Sequence, residues 1–294
     1  MQKLKTYIHL LRPHQYLKNG FIWLPVFFGY RIFDAGAVER TLLAFTAFCL
    51  MSSSIYVIND YQDREEDRRH PVKKNRPLAS GVVSAREALY LGLICFGASL
   101  ALALAFLPAA CLYLLLAYLL LNVAYSQTLK HIPIVDIFCI ALGFVLRIYM
   151  GGAATDIPIS PWIVIMTFLL ALFLALAKRR DDLLLTDQDG PVRKAIDGYN
   201  HEFISLGMSV MASVIIVVYI LYTVSPEVVA KHGTHQLYIS GVWVLLGLLR
   251  YLQITFVEEK SGYPTLLLLK DYVLQAVVGL WLVHIFVLLY VAKG

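Results

Sequence analysis

Residues 40–67 read RTLLAFTAFCLMSSSIYVINDYQDREED. From Arg40 to Ile58 the run is apolar or weakly polar. At 1.5 Å per residue it is long enough to cross most of a bilayer's hydrocarbon core as a helix. It then changes abruptly into Asn59, Asp60, Asp63, Arg64, Glu65, Glu66 and Asp67. An apolar helix that breaks into dense charge leaves the membrane at that point.

Eight more runs of this kind lie near 20–33, 87–106, 109–125, 133–151, 161–177, 204–224, 237–256 and 272–291. Across the chain 59% of residues are hydrophobic and 15% are charged, and mean hydropathy is +0.69. Soluble domains carry about a quarter charged residues. There is too little polar surface here for a water-facing globule, so a soluble enzyme and a disordered chain are excluded. The apolar runs are continuous and do not alternate with period two, which excludes an outer-membrane barrel. The expected fold is an all-α polytopic membrane protein of nine transmembrane helices, one integral membrane domain over 1–294. The first run is short and contains Pro25, so a kink or tilt is expected there.

Alternating nine spans from a cytoplasmic N-terminus puts twenty of the 25 lysines and arginines on one side and four on the other, with Arg147 inside a span. This asymmetry orients the N-terminus inward, in the cytoplasmic (inner) membrane. It also accounts for the net charge of +5 without nucleic acid. Acidic residues gather on the same side although insertion does not require them there, which marks the cytoplasmic face as the place of chemistry. The N-terminus lacks a short apolar core followed by a small-residue cleavage site, so no cleaved signal peptide is expected. Cys49, Cys95, Cys111 and Cys139 all lie in apolar runs without ligand spacing and read as packing residues.

If the second helix runs on past Asn59, then Asp60, Asp63 and Asp67 fall on one face. Stacked carboxylates repel unless a cation lies among them. Carboxylate oxygens with an Asn carbonyl suit Mg²⁺, which takes further ligands from water and substrate phosphate. Pro71 then stops the helix. Lys73, Lys74 and Arg76 follow in a loop able to reach back toward a phosphate. A solvated, mixed-charge helix end at the membrane surface is the alternative reading of the same residues.

The Asn-Asp-x2-Asp-x3-Asp pattern resembles the first aspartate-rich motif of the UbiA superfamily of intramembrane prenyltransferases. Nine spans with charged inner loops after the second and sixth match that superfamily too. The resemblance covers essentially the whole chain and implies a UbiA-type bundle around a central cavity. It implies Mg²⁺ and a diphosphate at Asn59, Asp60, Asp63 and Asp67, with Asp60, Asp63, Asp67 and Arg76 carrying the catalysis.

The second inner loop departs from the aromatic prenyltransferases. It opens with Lys178, Arg179 and Arg180 and has Asp182-x4-Asp187 in place of Asp-x3-Asp. One branch of the superfamily fits better, the branch that moves 5-phosphoribose from phosphoribosyl diphosphate onto a polyprenyl (decaprenyl-type) phosphate. The similarity runs through Arg12-Pro13 to Lys18-Asn19, and through His70-Pro71-x-Lys73-x2-Arg76-Pro77. It continues in Tyr125-Ser126 with Leu129-Lys130, in Asp136 through Arg147 to Gly151-Gly152-Ala153-Ala154-Thr155, and in Lys178-Arg179. That branch implies substrate contacts from Lys18, Asn59, Arg64, Lys73, Tyr125, Lys130, Asp136, Lys178, Arg179 and Asp182. Which of Asp181, Asp182, Asp187 and Asp189 binds metal stays open, as does a homo-oligomeric state.

Lys18 and Lys130 read equally as interface lysines. Asp136 reads equally as a positioner of a ribose hydroxyl or a metal-bound water and as a helix–helix hydrogen bond. It lies about 16 Å along the axis from Arg147, so the two cannot pair, and Arg147 reads as a structural or cavity residue. The Gly151–Ala154 run reads as close helix packing. The histidines show no ligand spacing and read as interface or loop residues. Two rival functions remain: a prenyltransferase that joins a prenyl diphosphate to an aromatic or other small acceptor, and a transporter without chemistry. The absence of a clear internal repeat speaks against the transporter.

Overall fold

The computed structural model describes residues 2–69, 73–189, 198–259 and 264–291. No strand occurs among them, and eight helices are long and apolar enough to cross a membrane. The chain is an integral membrane protein.

Two compact units divide the chain, with the division falling inside one helix. The first comprises Met1–Lys130 with Gly143–Ile159, and the second His131–Leu142 with Ser160–Gly294.

The first unit holds α1 (Gln2–Leu11), α2 (Leu24–Phe28), α3 (Ala35–Gln62), α4 (Arg64–Arg69), α5 (Ala85–Phe106) and α6 (Ala109–Gln127), with the second half of α7 (Val135–Thr155). The first expected span, 20–33, is not one continuous helix. A 3-10 helix covers Pro13–Trp23, α2 follows for five residues, and the chain turns at Gly29 and Tyr30. Prolines open both pieces at the first or second position, where a missing amide N–H costs nothing. Tyr30, at φ 59°, then carries the chain out of helical geometry.

α3 is the axis of this unit. Of its membrane window 61% is buried, against 22% for α5, whose other face is apolar and exposed. Ala44, Ala47, Phe48, Met51 and Ile55 of α3 pack with Cys111, Leu115 and Tyr118 of α6 and Met150 of α7. Small residues let α5 approach closely: Ser99 Oγ donates to Ala47 O at 2.7 Å, and a Cβ on Gly92 would lie 3.2 Å from Val57. Gly151 has no room for a side chain, because a Cβ there would strike the Ile22 carbonyl; at Gly152 it would strike Ile159.

The second unit holds α8 (Pro161–Asp189), α9 (His201–Val224), α10 (Pro226–His232), α11 (Gly241–Phe256), α12 (Pro264–Lys270) and α13 (Tyr272–Phe286), with the first half of α7. Side-chain hydrogen bonds tie its helices inside the apolar region. Trp281 Nε1 donates to Tyr219 Oη at 2.8 Å, and Tyr219 shares a 2.7 Å bond with Ser240. Trp243 Nε1 donates to His284 Nδ1 at 3.0 Å, and His232 is buried. His284 thus lies within a span, bonded to a neighbouring helix, whereas His232, the last residue of α10, is buried in the connection between two spans.

Candidate active site

α3 does not run through the aspartate motif. It ends at Gln62, Asp63 caps it, and α4 begins at Arg64. The expected stack of three carboxylates is therefore split by a bend. Asp60 and Asp67 are both buried, while Asp63 turns aside to Lys130, whose Nζ lies 3.0 Å from Asp63 Oδ1.

Asp60 and Asp67 meet on one atom. Arg76 Nη1 donates to Asp60 Oδ1 at 3.1 Å and to Asp67 Oδ2 at 2.6 Å. Arg12 Nη2 donates to the same Asp60 oxygen at 2.5 Å. Two guanidinium groups thus balance two buried carboxylates, as a buried charge requires.

The backbone delivers both arginines. A 3-10 turn at Lys73–Asn75 closes with Arg76 N–H donating to Lys73 O at 2.9 Å. Arg12 stands in left-handed geometry at φ 54°, directly before Pro13, where a following proline disfavours helical geometry. That bend between α1 and the 3-10 helix throws its side chain over Tyr56, 5.2 Å from ring to guanidinium carbon, and onto Asp60. In the sequence Arg12 belongs to the Arg12-Pro13 motif, which assigns it no role. Its distance from Asp60, 48 positions, left no local signal.

The other expected residues of this unit disperse around the pair. Asn59 Oδ1 accepts from Ser126 Oγ at 2.7 Å. Arg64 folds back, donating to Tyr61 O at 2.9 Å with its guanidinium carbon 4.4 Å from the Tyr61 ring centre. Lys18, Lys73 and Tyr125 are half-buried. No group of three or more carboxylate, His or Cys side chains stands together among the described residues. The donor set still fits a hard divalent cation: two buried carboxylates converge on one positively charged atom, with an Asn carbonyl on the adjoining residue.

Arg147 sits in this unit with no carboxylate beside it among the described residues. It donates to Asn19 Oδ1, Gly143 O and Tyr118 Oη at 2.8, 2.7 and 3.0 Å, and the rings of Phe48, Tyr118 and Phe144 surround it at 4.9–5.2 Å. Cation–π contacts and carbonyl oxygens replace its hydration.

The second unit has a centre of its own. Asp136, in the first turn of α7, is 0% exposed. Arg179 Nε donates to Asp136 Oδ2 at 2.6 Å, and Arg179 Nη1 to Asp182 Oδ2 at 2.7 Å. Tyr199, which no sequence pattern singles out, donates its hydroxyl to Asp136 Oδ1 at 2.6 Å. Burial, and then that carboxylate, push the Tyr199 phenol above its usual range.

The basic lead of the second loop is not one cluster. Successive helical residues point about 100° apart. Arg179 is consumed between two carboxylates, while Arg180 donates to Thr255 O at 2.6 Å and lies over Phe256. Lys178 is half-buried. His70, Pro71 and the side chains of Asp187 and Asp189 lie outside the described residues.

The UbiA prenyltransferase family profile matches residues 22–263. The decaprenyl-phosphate phosphoribosyltransferase of Mycolicibacterium smegmatis is 31% identical over 94% of this chain and 89% of its own length. That of Corynebacterium glutamicum is 30% identical over 97% and 86%. The 4-hydroxybenzoate octaprenyltransferase of Neisseria gonorrhoeae is 32% identical but aligns over only 62% of this chain and 64% of its own. Among solved structures, a UbiA homolog from Archaeoglobus fulgidus bound to DMAPP and Mg²⁺ superposes with a TM-score of 0.71, at 21% identity, over 97% of this chain and 99% of that one.

Proposed function

The chain belongs to the UbiA prenyltransferase family, and from that premise we propose that it transfers 5-phosphoribose from phosphoribosyl diphosphate to a polyprenyl phosphate, releasing pyrophosphate. The observation that carries this reading is the near full-length similarity to two decaprenyl-phosphate phosphoribosyltransferases, where the octaprenyltransferase aligns over a shorter stretch. The product is a lipid-linked phosphoribose, a pentose precursor for cell-envelope glycans.

In this reading Asp60 and Asp67, with Asn59 and Asp63, would hold Mg²⁺, which when bound would supply positive charge to the diphosphate leaving group. Arg12 and Arg76 hold the two carboxylates in register and carry the charge that a phosphate group would meet. Lys18, Arg64, Lys73, Tyr125 and Lys130 bind substrate around them. Lys178, Arg179, Asp136 and Asp182 act on substrate directly or by holding its contacts.

The bond from the anomeric carbon to the diphosphate oxygen breaks as an oxygen of the lipid phosphate bonds to that carbon. The acceptor is already an anion at neutral pH, so no side chain has to remove a proton. The charge asymmetry of the loops supports an active site at the cytoplasmic face of the inner membrane.

The test uses detergent-purified protein with Mg²⁺, radiolabelled phosphoribosyl diphosphate and a polyprenyl phosphate. Label enters the organic phase, and EDTA or Asp60→Ala abolishes it. Prenylated product from a parallel tube with a prenyl diphosphate and an aromatic acid, with no label in the first, would overturn the reading.

A further inference from the structure

We infer that Tyr199 is a positioning residue: through Asp136 and Arg179 its hydroxyl fixes the partly exposed carboxylate of Asp182, which receives the sugar hydroxyls of the donor. The inference rests on the proposed phosphoribosyl transfer and deepens it.

The four groups form one line of hydrogen bonds. Asp136 is 0% exposed, Arg179 1%, and the Asp182 side chain 18%. Only the last member reaches the surface. Arg179 spends its Nε on one carboxylate and its Nη1 on the other, so the planar guanidinium transmits direction as well as charge. If Asp136 rotates, Arg179 follows and Asp182 moves with it. Linked hydrogen bonds of this kind hold their members more tightly than isolated ones.

Tyr199 is what stops Asp136 from rotating. Its hydroxyl donates to Asp136 Oδ1 at 2.6 Å and accepts from the Ile134 N–H at 2.6 Å. Ile134 stands at φ 69°, a geometry β-branched residues avoid. The strained residue and the buried acid, two positions apart, are thus clamped by one oxygen atom. Strained backbone of this kind persists only where its surroundings over-determine it. Gly198 completes the clamp. It lies against Pro133 so closely that a Cβ would overlap the proline ring. A bare fold requirement explains the Asp136–Arg179 pair. It does not explain why the pair is extended to a partly exposed acid at one end and anchored to a strained backbone at the other.

This reassigns the ribose contact expected of Asp136. That carboxylate is enclosed and both of its oxygens are engaged. Asp182 is the acid of this centre that a sugar can reach, and a carboxylate beside an arginine accepts hydroxyl donors well.

The experiment compares Tyr199→Phe, Asp182→Asn and the double variant in the lipid-labelling assay. Each is assayed with phosphoribosyl diphosphate and with its 2-deoxyribosyl analogue. Thermal midpoints in detergent are recorded for all. The expected result for Tyr199→Phe is a rise of about tenfold in KM for the donor, the worth of one hydrogen bond, with KM for polyprenyl phosphate unchanged. The preference for the ribosyl over the deoxyribosyl donor shrinks in both single variants, and the double variant is no worse than Asp182→Asn alone. Additive losses, equal changes in both KM values, or an unaltered sugar preference would overturn the inference. If Tyr199→Phe does not fold, Asp182→Asn alone decides, by the same KM split and sugar preference. If the unaltered chain transfers phosphoribose while the variants keep its KM values, the inference fails and the transfer stands. If the unaltered chain transfers none, both fall.

Discussion

Asp60 and Asp136 are both buried carboxylates held by arginine, yet their surroundings differ in one respect. The arginines on Asp60 are partly exposed, Arg12 at 21% and Arg76 at 27%, and each comes from a turn or loop. The arginine on Asp136 is 1% exposed, is rooted in α8, and carries a second carboxylate. The first arrangement has counter-charges that can leave for water or phosphate. The second is closed. A buried acid serves exchange where its partners can be displaced, and serves construction where they cannot.

The largest expected effect tests the closed centre. Asp136→Asn leaves Arg179 buried with half its compensation, and breaking such a pair costs about 3–5 kcal/mol. Thermal or denaturant unfolding in detergent measures it. The same measurement on Asp60→Asn is expected to give a clearly smaller loss, because Arg12 and Arg76 can turn to water. Equal losses would break the comparison.

Activity sharpens it from the other side. Asp60→Asn is expected to lower transfer at least about a hundredfold in the labelled-lipid assay, since removal of a metal ligand exceeds the loss seen for outer-shell partners. Retained activity would move the cation site elsewhere.

A smaller effect concerns a helix end in the second unit. Asp271 Oδ1 caps α13 by accepting from Leu274 N–H at 2.8 Å, and Asp271 Oδ2 accepts from Arg250 at 2.6 Å. Asp271→Ala is expected to cost about 1 kcal/mol. The bond to Arg250 holds the Asp271 carboxyl below its usual range. Its contribution is therefore complete above the unfolded carboxylate value of about 4 and fades as pH falls through the lower folded value. Unfolding followed from pH 7 downward should show the deficit of the variant vanish in acid. A deficit that persists there would assign the cost to packing.

Lys130→Met, which frees the half-exposed Asp63, marks the small end. Its stability loss is expected to stay below about 1 kcal/mol. A larger loss in unfolding experiments would place Asp63 with the closed acids.

Most of the membrane architecture is legible in the sequence because apolar length is a local property. Eight of the nine expected spans correspond to long helices. The first does not, because a 3-10 piece ends at Trp23, a new five-residue helix opens at Leu24-Pro25, and the chain turns at Gly29 and Tyr30 where composition alone reads a span. The carboxylates of the first centre announce themselves by spacing. Arg12 does not, because a left-handed bend brings it to Asp60 from a different element. Periodicity puts the three acids on one face only if α3 runs on past Asp63, where the chain instead bends and sends the middle acid to Lys130. Tyr199 has no pattern at all. An isolated tyrosine before a helix cap acquires meaning only beside Asp136 and Ile134. The similarity of consecutive letters in Lys178-Arg179-Arg180 misleads for the opposite reason, since neighbours on a helix diverge.

The cage around Arg147 has a consequence for how the chain is made. An arginine near the middle of a segment resists entry into lipid, by roughly 2.5–3.5 kcal/mol on insertion scales. Asn19, Phe48 and Tyr118 all precede Arg147 in the order of synthesis. When the ribosome reaches residue 147, most of the groups that will solvate its charge have already been translated. The fourth long apolar helix, emerging after α3, α5 and α6, thus has neighbours to receive it, and in the first unit assembly is written in the direction of translation.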